Sequence, residues 1–197
     1  MQTGRFNALA HVEWERPMVE TLRNRLVTKW NESEENAKKK VILFDIQKTD
    51  ELINGNWSDD SVALYGRANS DEVKKNGLKG VIGKKRVDFI IGGPPCQAYS
   101  IHGRATDKDS MKNDYRNYLF ESFCKVVGEF RPSVFVFENV GGLLSANPGG
   151  IPVRKRIYDA FTQIGYQILT PEKMPSALYD AVNFNVPQHR PRVIILG

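Results

Sequence analysis

The sequence is poor in the residues from which metal centres and disulfide frameworks are built. Two cysteines, Cys96 and Cys124, occur in 197 residues, and no CxxC pair is present. That excludes a disulfide scaffold, a zinc ribbon and a thioredoxin-type redox site. Three scattered histidines, His11, His102 and His189, make no metal-ligand spacing, so no metal is expected. No apolar run is long enough to cross a bilayer, and the N-terminus lacks the basic-then-apolar pattern of a signal peptide. No membrane association and a reducing, cytoplasmic setting are therefore expected. A glycine-rich turn, the usual support of a dinucleotide or adenosyl group after a first strand, is also missing ahead of Phe6. Charge is only mildly one-sided, at +5. Such an excess suits a polyanionic partner and equally a solvated surface, as do the short basic runs Lys38 to Lys40, Lys84 to Arg86 and Arg154 to Arg156.

What the chain does have is a series of short apolar runs separated by helical patterns. Phe6 to Trp14, Lys40 to Ile46, Val87 to Gly93, Ser133 to Val140 and the terminal "RVIILG" read as strands. Between them, "RPMVETLRNRL" starts with Pro17 in a first helical turn and places Met18, Leu22 and Leu26 on one face. "NYLFESFCKVVGEF" spaces Leu119, Phe123, Val126 and Phe130 as a helix does, and "VRKRIYDAFTQIG" reads as a further helix. Alternating strands and helices predict an α/β fold, a Rossmann-like parallel sheet with helices on both faces. The stretch 47–85 is polar and reads as an insertion with one helix near Asp71 to Leu78.

In such sheets ligands gather at the carboxyl ends of the strands, and that is where the chemistry-bearing residues fall. Glycines permit close approach and successive prolines fix φ, so "GGPPCQ" makes a stiff platform that presents Cys96 just past a strand end. Cys96 reads as a nucleophile; Cys124, beside Phe123 in a helical pattern, reads as core. Glu138 closes the apolar run "VFVF", where desolvation favours a protonated carboxyl, unless it merely caps or pairs with an arginine. In "VPQHRPRVIILG", period-2 spacing sends Gln188, Arg190 and Arg192 to one face.

"GGPPCQAYS", "FENV" and "QHRPR", in this order, resemble three signature motifs of the DNA cytosine-5 methyltransferases. "HVEWE", "FDI" and "NYLF" resemble the family's cofactor motifs. The resemblance implies a methyl transfer from S-adenosylmethionine to cytosine C5 in double-stranded DNA, through a cysteine adduct at C6 of a flipped-out base. It implies Cys96 as nucleophile, Glu138 at N3 and the exocyclic amine, and Arg192 gripping the base. Glu13 and Trp14 would hold the ribose and adenine, Asp45 the adenine amine, and Ile46, Pro95 and Leu119 would line that pocket. Gln97, Ser100, Arg104, Gln188 and Arg190 would contact nucleic acid. Without the family, Trp14 and Leu119 read equally as core and Asp45 as a turn cap.

The family's glycine-rich first motif and its target-recognition region have no counterpart, so 1–197 is expected to be one partial catalytic domain, incomplete at both ends. A restriction-modification enzyme, a non-catalytic nucleic-acid-binding remnant and a tRNA cytosine-5 methyltransferase share these motifs. With the first motif missing, the 197-residue chain is expected to bind S-adenosylmethionine weakly or not at all. Titration calorimetry returning micromolar affinity overturns that expectation.

Overall fold

Pro17 supplies a pre-set φ where a helix needs no amide donor, and helix α1 (Arg16–Trp30) starts there. It ends at Asn31 in the left-handed conformation, whose amide returns to the Leu26 carbonyl. The computed structural model describes residues 6–94 and 119–197 and divides into two compact units, Met1–Arg86 and Val87–Gly197.

In the first unit, α1 follows strand β1 (His11–Glu13), and α2 (Glu34–Lys40) leads into β2 (Val41–Leu43). Ser33 caps α2 by accepting from the Asn36 amide, with Glu34 and Glu35 in its first turn and Lys38, Lys39 and Lys40 in its last. The basic run at 38–40 is thus the end of a helix, where cations complement the dipole. Strands β1 and β2 pair in parallel through three residues, His11 with Val41 to Glu13 with Leu43. The strand expected from Phe6 to Trp14 is this short because α2 runs to Lys40, leaving β1 a partner of three residues. Val19, Leu26, Ala37, Val41 and Leu43 form the core here, with Leu22 packed against it. Met18, expected on that face, is exposed, and Val19 takes its place.

The stretch 47–85 is structured throughout rather than a loop with one helix. It forms α3 (Thr49–Asn54), α4 (Asp59–Tyr65) and α5 (Asp71–Ile82). Leu52, Ile53, Trp57, Val73 and Leu78 are buried, and Trp57 stacks on Phe44 at 4.3 Å. Two glycines interlock the helices. Gly55 (φ +75°) and Gly77 (φ +59°) meet backbone to backbone, and a Cβ on Gly77 would lie 2.5 Å from the Gly55 nitrogen. Helix α5 breaks at Gly77 for the same reason. Asn69, 3% exposed, lies along β2: its Oδ1 accepts from the Leu43 amide at 3.0 Å and its Nδ2 donates to the Leu43 carbonyl at 2.9 Å.

The second unit holds a four-stranded sheet of order β3 (Phe89–Gly92), β4 (Val134–Val140), β6 (Pro191–Leu196), β5 (Leu178–Asp180). β3 and β4 are parallel, whereas β6 runs antiparallel to both β4 and β5. The α/β class is as expected; the sheet is mixed, because β6 returns directly alongside β5 instead of crossing over. Helices α6 (Leu119–Phe130) and α7 (Val153–Gln163) cover one face. There Phe123 and Phe161 meet Phe135 and Phe137, with Phe135 and Phe161 stacked at 4.2 Å. On the opposite face Phe89, Ile91, Val134 and Leu196 are exposed.

Gly77→Ala imposes a left-handed φ on an L side chain and drives its Cβ into the Gly55 backbone. It should cost about 2 kcal/mol or more, read as a lowered urea midpoint at unchanged slope. A loss below about 0.5 kcal/mol would show that the two glycines do not lock the helices.

Candidate functional site

Two groups of polar residues stand at strand ends, one in each unit. In the first unit, parallel pairing puts the carboxyl ends of β1 and β2 side by side, and the ladder continues one step as the Phe44 amide donates to the Glu13 carbonyl at 3.0 Å. Glu13 and Asp45 therefore emerge at one edge. Each carboxylate is oriented by the backbone that follows it. Glu13 Oε1 accepts from the amides of Trp14 at 2.7 Å and Glu15 at 3.1 Å. Asp45 Oδ1 accepts from the Gln47 amide at 2.9 Å, and Gln47 Nε2 reaches Asp45 Oδ2 at 3.3 Å. Asp45 is thus a turn cap as well as an edge carboxylate. Trp14 stands half in solvent, 51% exposed, so its indole is no core residue. Ile46 is half-buried and its carbonyl accepts from the Thr49 hydroxyl at 2.8 Å. Two fixed acceptors beside an open aromatic face suit a ligand bearing a diol, an amine and a flat ring, which is the donor set of an adenosyl group.

In the second unit the two faces of β4 do different work. Strand alternation sends Phe135, Phe137 and Asn139 toward the helices and Val136, Glu138 and Val140 to the other side. Glu138 stands opposite Ile194 and Val140 opposite Arg192. Glu138 and Arg192 are therefore diagonal neighbours on one face, within reach of long side chains. They meet: Arg192 Nε lies 2.8 Å from Glu138 Oε1. The Glu138 side chain is 39% exposed, so the desolvated carboxyl expected from the "VFVF" run is instead an ion-paired, half-exposed one. At that exposure the pair contributes about 1 kcal/mol or less to stability; its effect is to orient both groups.

The glycines ahead of Cys96 have definite occupants. A Cβ on Gly92 would lie 2.3 Å from the Phe123 ring, and one on Gly93 would lie 2.7 Å from Glu138 Oε2. Gly92 makes room for the core and Gly93 for the carboxylate. Asn139, 5% exposed, ties the same turn down, its Nδ2 donating to the Pro94 carbonyl at 3.2 Å while its Oδ1 accepts from the Val140 amide at 2.8 Å. Sequence reasoning places Asn139 among the polar residues at the carboxyl edge of the sheet but gives it no chemical task. The signal available was its period-2 position, one residue past Glu138 and hence on the buried face.

Gln188 and Arg190 are exposed and precede β6. Period-2 geometry does not apply to them, and only Arg192 lies in the strand. Leu119 is buried at the start of the described part of α6. Pro95, Cys96, Gln97, Ser100 and Arg104 lie outside the described residues. Among the described residues no cluster of three or more His, Cys, Asp or Glu could hold a metal ion, and no helix is long and apolar enough to cross a membrane.

The family model for C-5 cytosine-specific DNA methylases matches residues 63–197, more than half of the chain. The type II methyltransferase M.Bpa9945I of Bacillus paralicheniformis is 51% identical over 113 residues, which cover 56% of this chain and 25% of that protein. The type II methyltransferase M1.HphI of Haemophilus parahaemolyticus is 37% identical, covering 59% of this chain and 28% of that protein. The orphan methyltransferase M.SPRI of Bacillus phage SPR is 34% identical, covering 66% and 27%. The chain thus spans about a quarter of the length of the curated relatives it matches. A solved E. coli structure described as a prophage-encoded DNA modification methyltransferase shares 26% identity at a TM-score of 0.46, over 80% of this chain and 38% of that one.

The second cysteine yields a direct test of the core packing. Burial, and secondarily Glu121, push the Cys124 thiol up to about 11, and its Sγ lies 3.4 Å from the Ala160 carbonyl. At pH 8 about one molecule in a thousand would carry the reactive thiolate. In Cys96→Ser, iodoacetamide should leave Cys124 unmodified in the folded protein and label it fully in guanidinium. Rapid alkylation without denaturant would contradict the burial.

Proposed function

The chain belongs to the C-5 cytosine-specific DNA methylase family, and on that premise we propose that it carries the central part of a catalytic domain methylating C5 of cytosine in double-stranded DNA. The observation that carries the reading is the Glu138–Arg192 pair, 2.8 Å apart at the carboxyl end of β4 and next to the turn that precedes Cys96. A carboxyl group and a guanidinium side by side match the polar edge of cytosine: the carboxyl, once it carries a proton, donates to N3 and accepts from the exocyclic amine, and the guanidinium donates to O2.

Cytosine C5 is a weak nucleophile, and addition of a thiolate at C6 is what activates it. Cys96 would form the bond to C6 while N3 takes a proton from Glu138, leaving C5 electron-rich enough to accept a methyl group. Loss of the C5 proton to a solvent base then lets the C6–S bond break with the sulfur leaving as thiolate, and Glu138 recovers its proton from N3. An ordinary thiol is only a few per cent ionised near neutrality, so the site must favour the thiolate or remove the proton during attack. C6 is out of reach inside a duplex, so the nucleotide must leave the stack. Ser100, Arg104, Gln97, Gln188 and Arg190 are the residues we assign to holding the strand around it.

S-adenosylmethionine, the methyl donor the family implies, would supply an electrophilic methyl group on a sulfonium. Glu13 and Asp45 fit its adenosyl part: they would accept from the ribose hydroxyls and the adenine amine, and Trp14 would cover the ring face. Ile46, Pro95 and Leu119 complete the proposed lining. We infer that both units belong to one catalytic domain. DNA is favoured over tRNA because the relatives above are type II and phage methyltransferases, whose names also support a restriction-modification or phage setting.

Trapping on 5-fluorocytosine DNA tests the chemistry, since fluorine at C5 cannot leave as a proton. The full-length protein should form a covalent adduct with S-adenosylmethionine present, and Cys96→Ser should form none. Glu138→Gln should slow the reaction by roughly 10²–10⁴-fold. Gly93→Ala should melt like the parent yet slow the reaction, because its Cβ displaces only the flexible end of Glu138. A wild-type protein that forms no adduct on DNA, or forms it only on tRNA, refutes the assignment.

A further inference from the structure

Strand β6 begins with Pro191, which has no amide hydrogen, and Pro191 stands opposite Asp180 in the β5–β6 pair. That pair is a non-hydrogen-bonded one, so the proline costs the ladder nothing there, and the Ala181 amide still donates to the Arg190 carbonyl at 3.4 Å. The Arg190 amide does not return to the strand; the Asp180 side chain takes it. Its Oδ1 accepts from the Arg190 amide at 2.8 Å and the Val182 amide at 3.4 Å, and its Oδ2 lies 3.2 Å from His189 Nδ1. The Arg190 amide first, and His189 next, hold this carboxyl below the usual range, as expected where several donors converge on a carboxylate.

The segment between is held otherwise by backbone bonds, the Val186 amide donating to the Ala181 carbonyl at 3.3 Å, and by the Phe184 ring 6.1 Å from that of Tyr179. Residues 182–190 are exposed without exception, and the helical turn Ala181–Phe184 buries no residue. Asn185 turns the chain at φ 62°, and the Gln188 amide donates to the Val186 carbonyl at 2.7 Å. A loop without a core of its own takes its shape from its polar anchors, and Asp180 supplies three of these contacts. The segment it closes carries Gln188 and Arg190 and leads directly into Arg192, the partner of Glu138.

Resting on the function proposed above, we propose that Asp180 is a positioning residue for the base-gripping segment. By accepting the Arg190 amide it sets Gln188 and Arg190 and holds the first residues of β6, and with them Arg192, beside Glu138. It touches neither DNA nor cofactor; it fixes where the groups that do so stand.

The test compares Asp180→Ala with Asp180→Asn in the full-length protein. In Asp180→Ala, amide hydrogen exchange across 182–190 should rise at least about tenfold. The KM for DNA should rise on the order of 10–100-fold, the scale of a small misplacement, with affinity for S-adenosylmethionine unchanged. Asp180→Asn retains an acceptor oxygen and should restore most of both. Wild-type exchange and KM in Asp180→Ala overturn the inference. So does an Asn variant as impaired as the Ala variant, or an equal loss of cofactor affinity. Should the wild-type protein itself fail to react with DNA, the functional reading falls, and the exchange measurement alone decides whether Asp180 sets the segment.

Discussion

Strand β4 divides the second unit's labour by alternation alone. Its odd-numbered residues Phe135, Phe137 and Asn139 face helices α6 and α7, where stacked and edge-on rings fill the core. On its other face Glu138 meets Arg192. A one-residue slip of β4 against β6 would exchange the two sets, placing Glu138 in the aromatic core and a phenylalanine beside Arg192. The large rings at 135 and 137 therefore hold the register that makes the Glu138–Arg192 pair possible. The pairing of Glu138 with Arg192 depends on packing on the opposite side of the same strand.

Polar side chains finish what the backbone ladders leave undone. Asn139 binds the Pro94 carbonyl just past the end of β3. Asp180 takes the Arg190 amide at the end of the β5–β6 ladder. Asn69 meets both backbone groups of Leu43. In each case a short carboxamide or carboxylate serves as a fragment of strand, satisfying groups that would otherwise be buried unpaired or left loose. Two of the three adjoin the residues assigned to the base, so the same bonds that complete the sheet also aim the site.

The strands that position the site were legible in the sequence because each is a short apolar run, and Pro17 announces its helix locally; α2 was not read, although Ser33 and its acidic-to-basic gradient mark it. The motifs placed Glu138, Arg192, Glu13 and Asp45 at strand ends without any structure. Of the helices of 47–85 only α5 was legible, near Asp71 to Leu78; α3 and α4 were not, because they are short, end at Gly55 and Gly66, and bury too few residues each to show a period. The antiparallel return of β6 was hidden as well, because an apolar run does not state its direction. Nor could single residues reveal that Gly93 vacates space for Glu138, or that Glu138 is paired rather than desolvated. Both depend on which strands lie side by side.

Strand β2 illustrates one more outcome of these side-chain bonds. Val41 to Phe44 is an uncharged, almost wholly buried stretch, the kind of segment that recruits matching stretches from other molecules when its outer backbone is open. The carboxamide of Asn69 already occupies the donor and acceptor that Leu43 would offer. Together with the Arg23 guanidinium, which donates to the Val41 carbonyl, that amide occupies backbone groups through which a further strand would pair, and so disfavours cross-β growth at that margin.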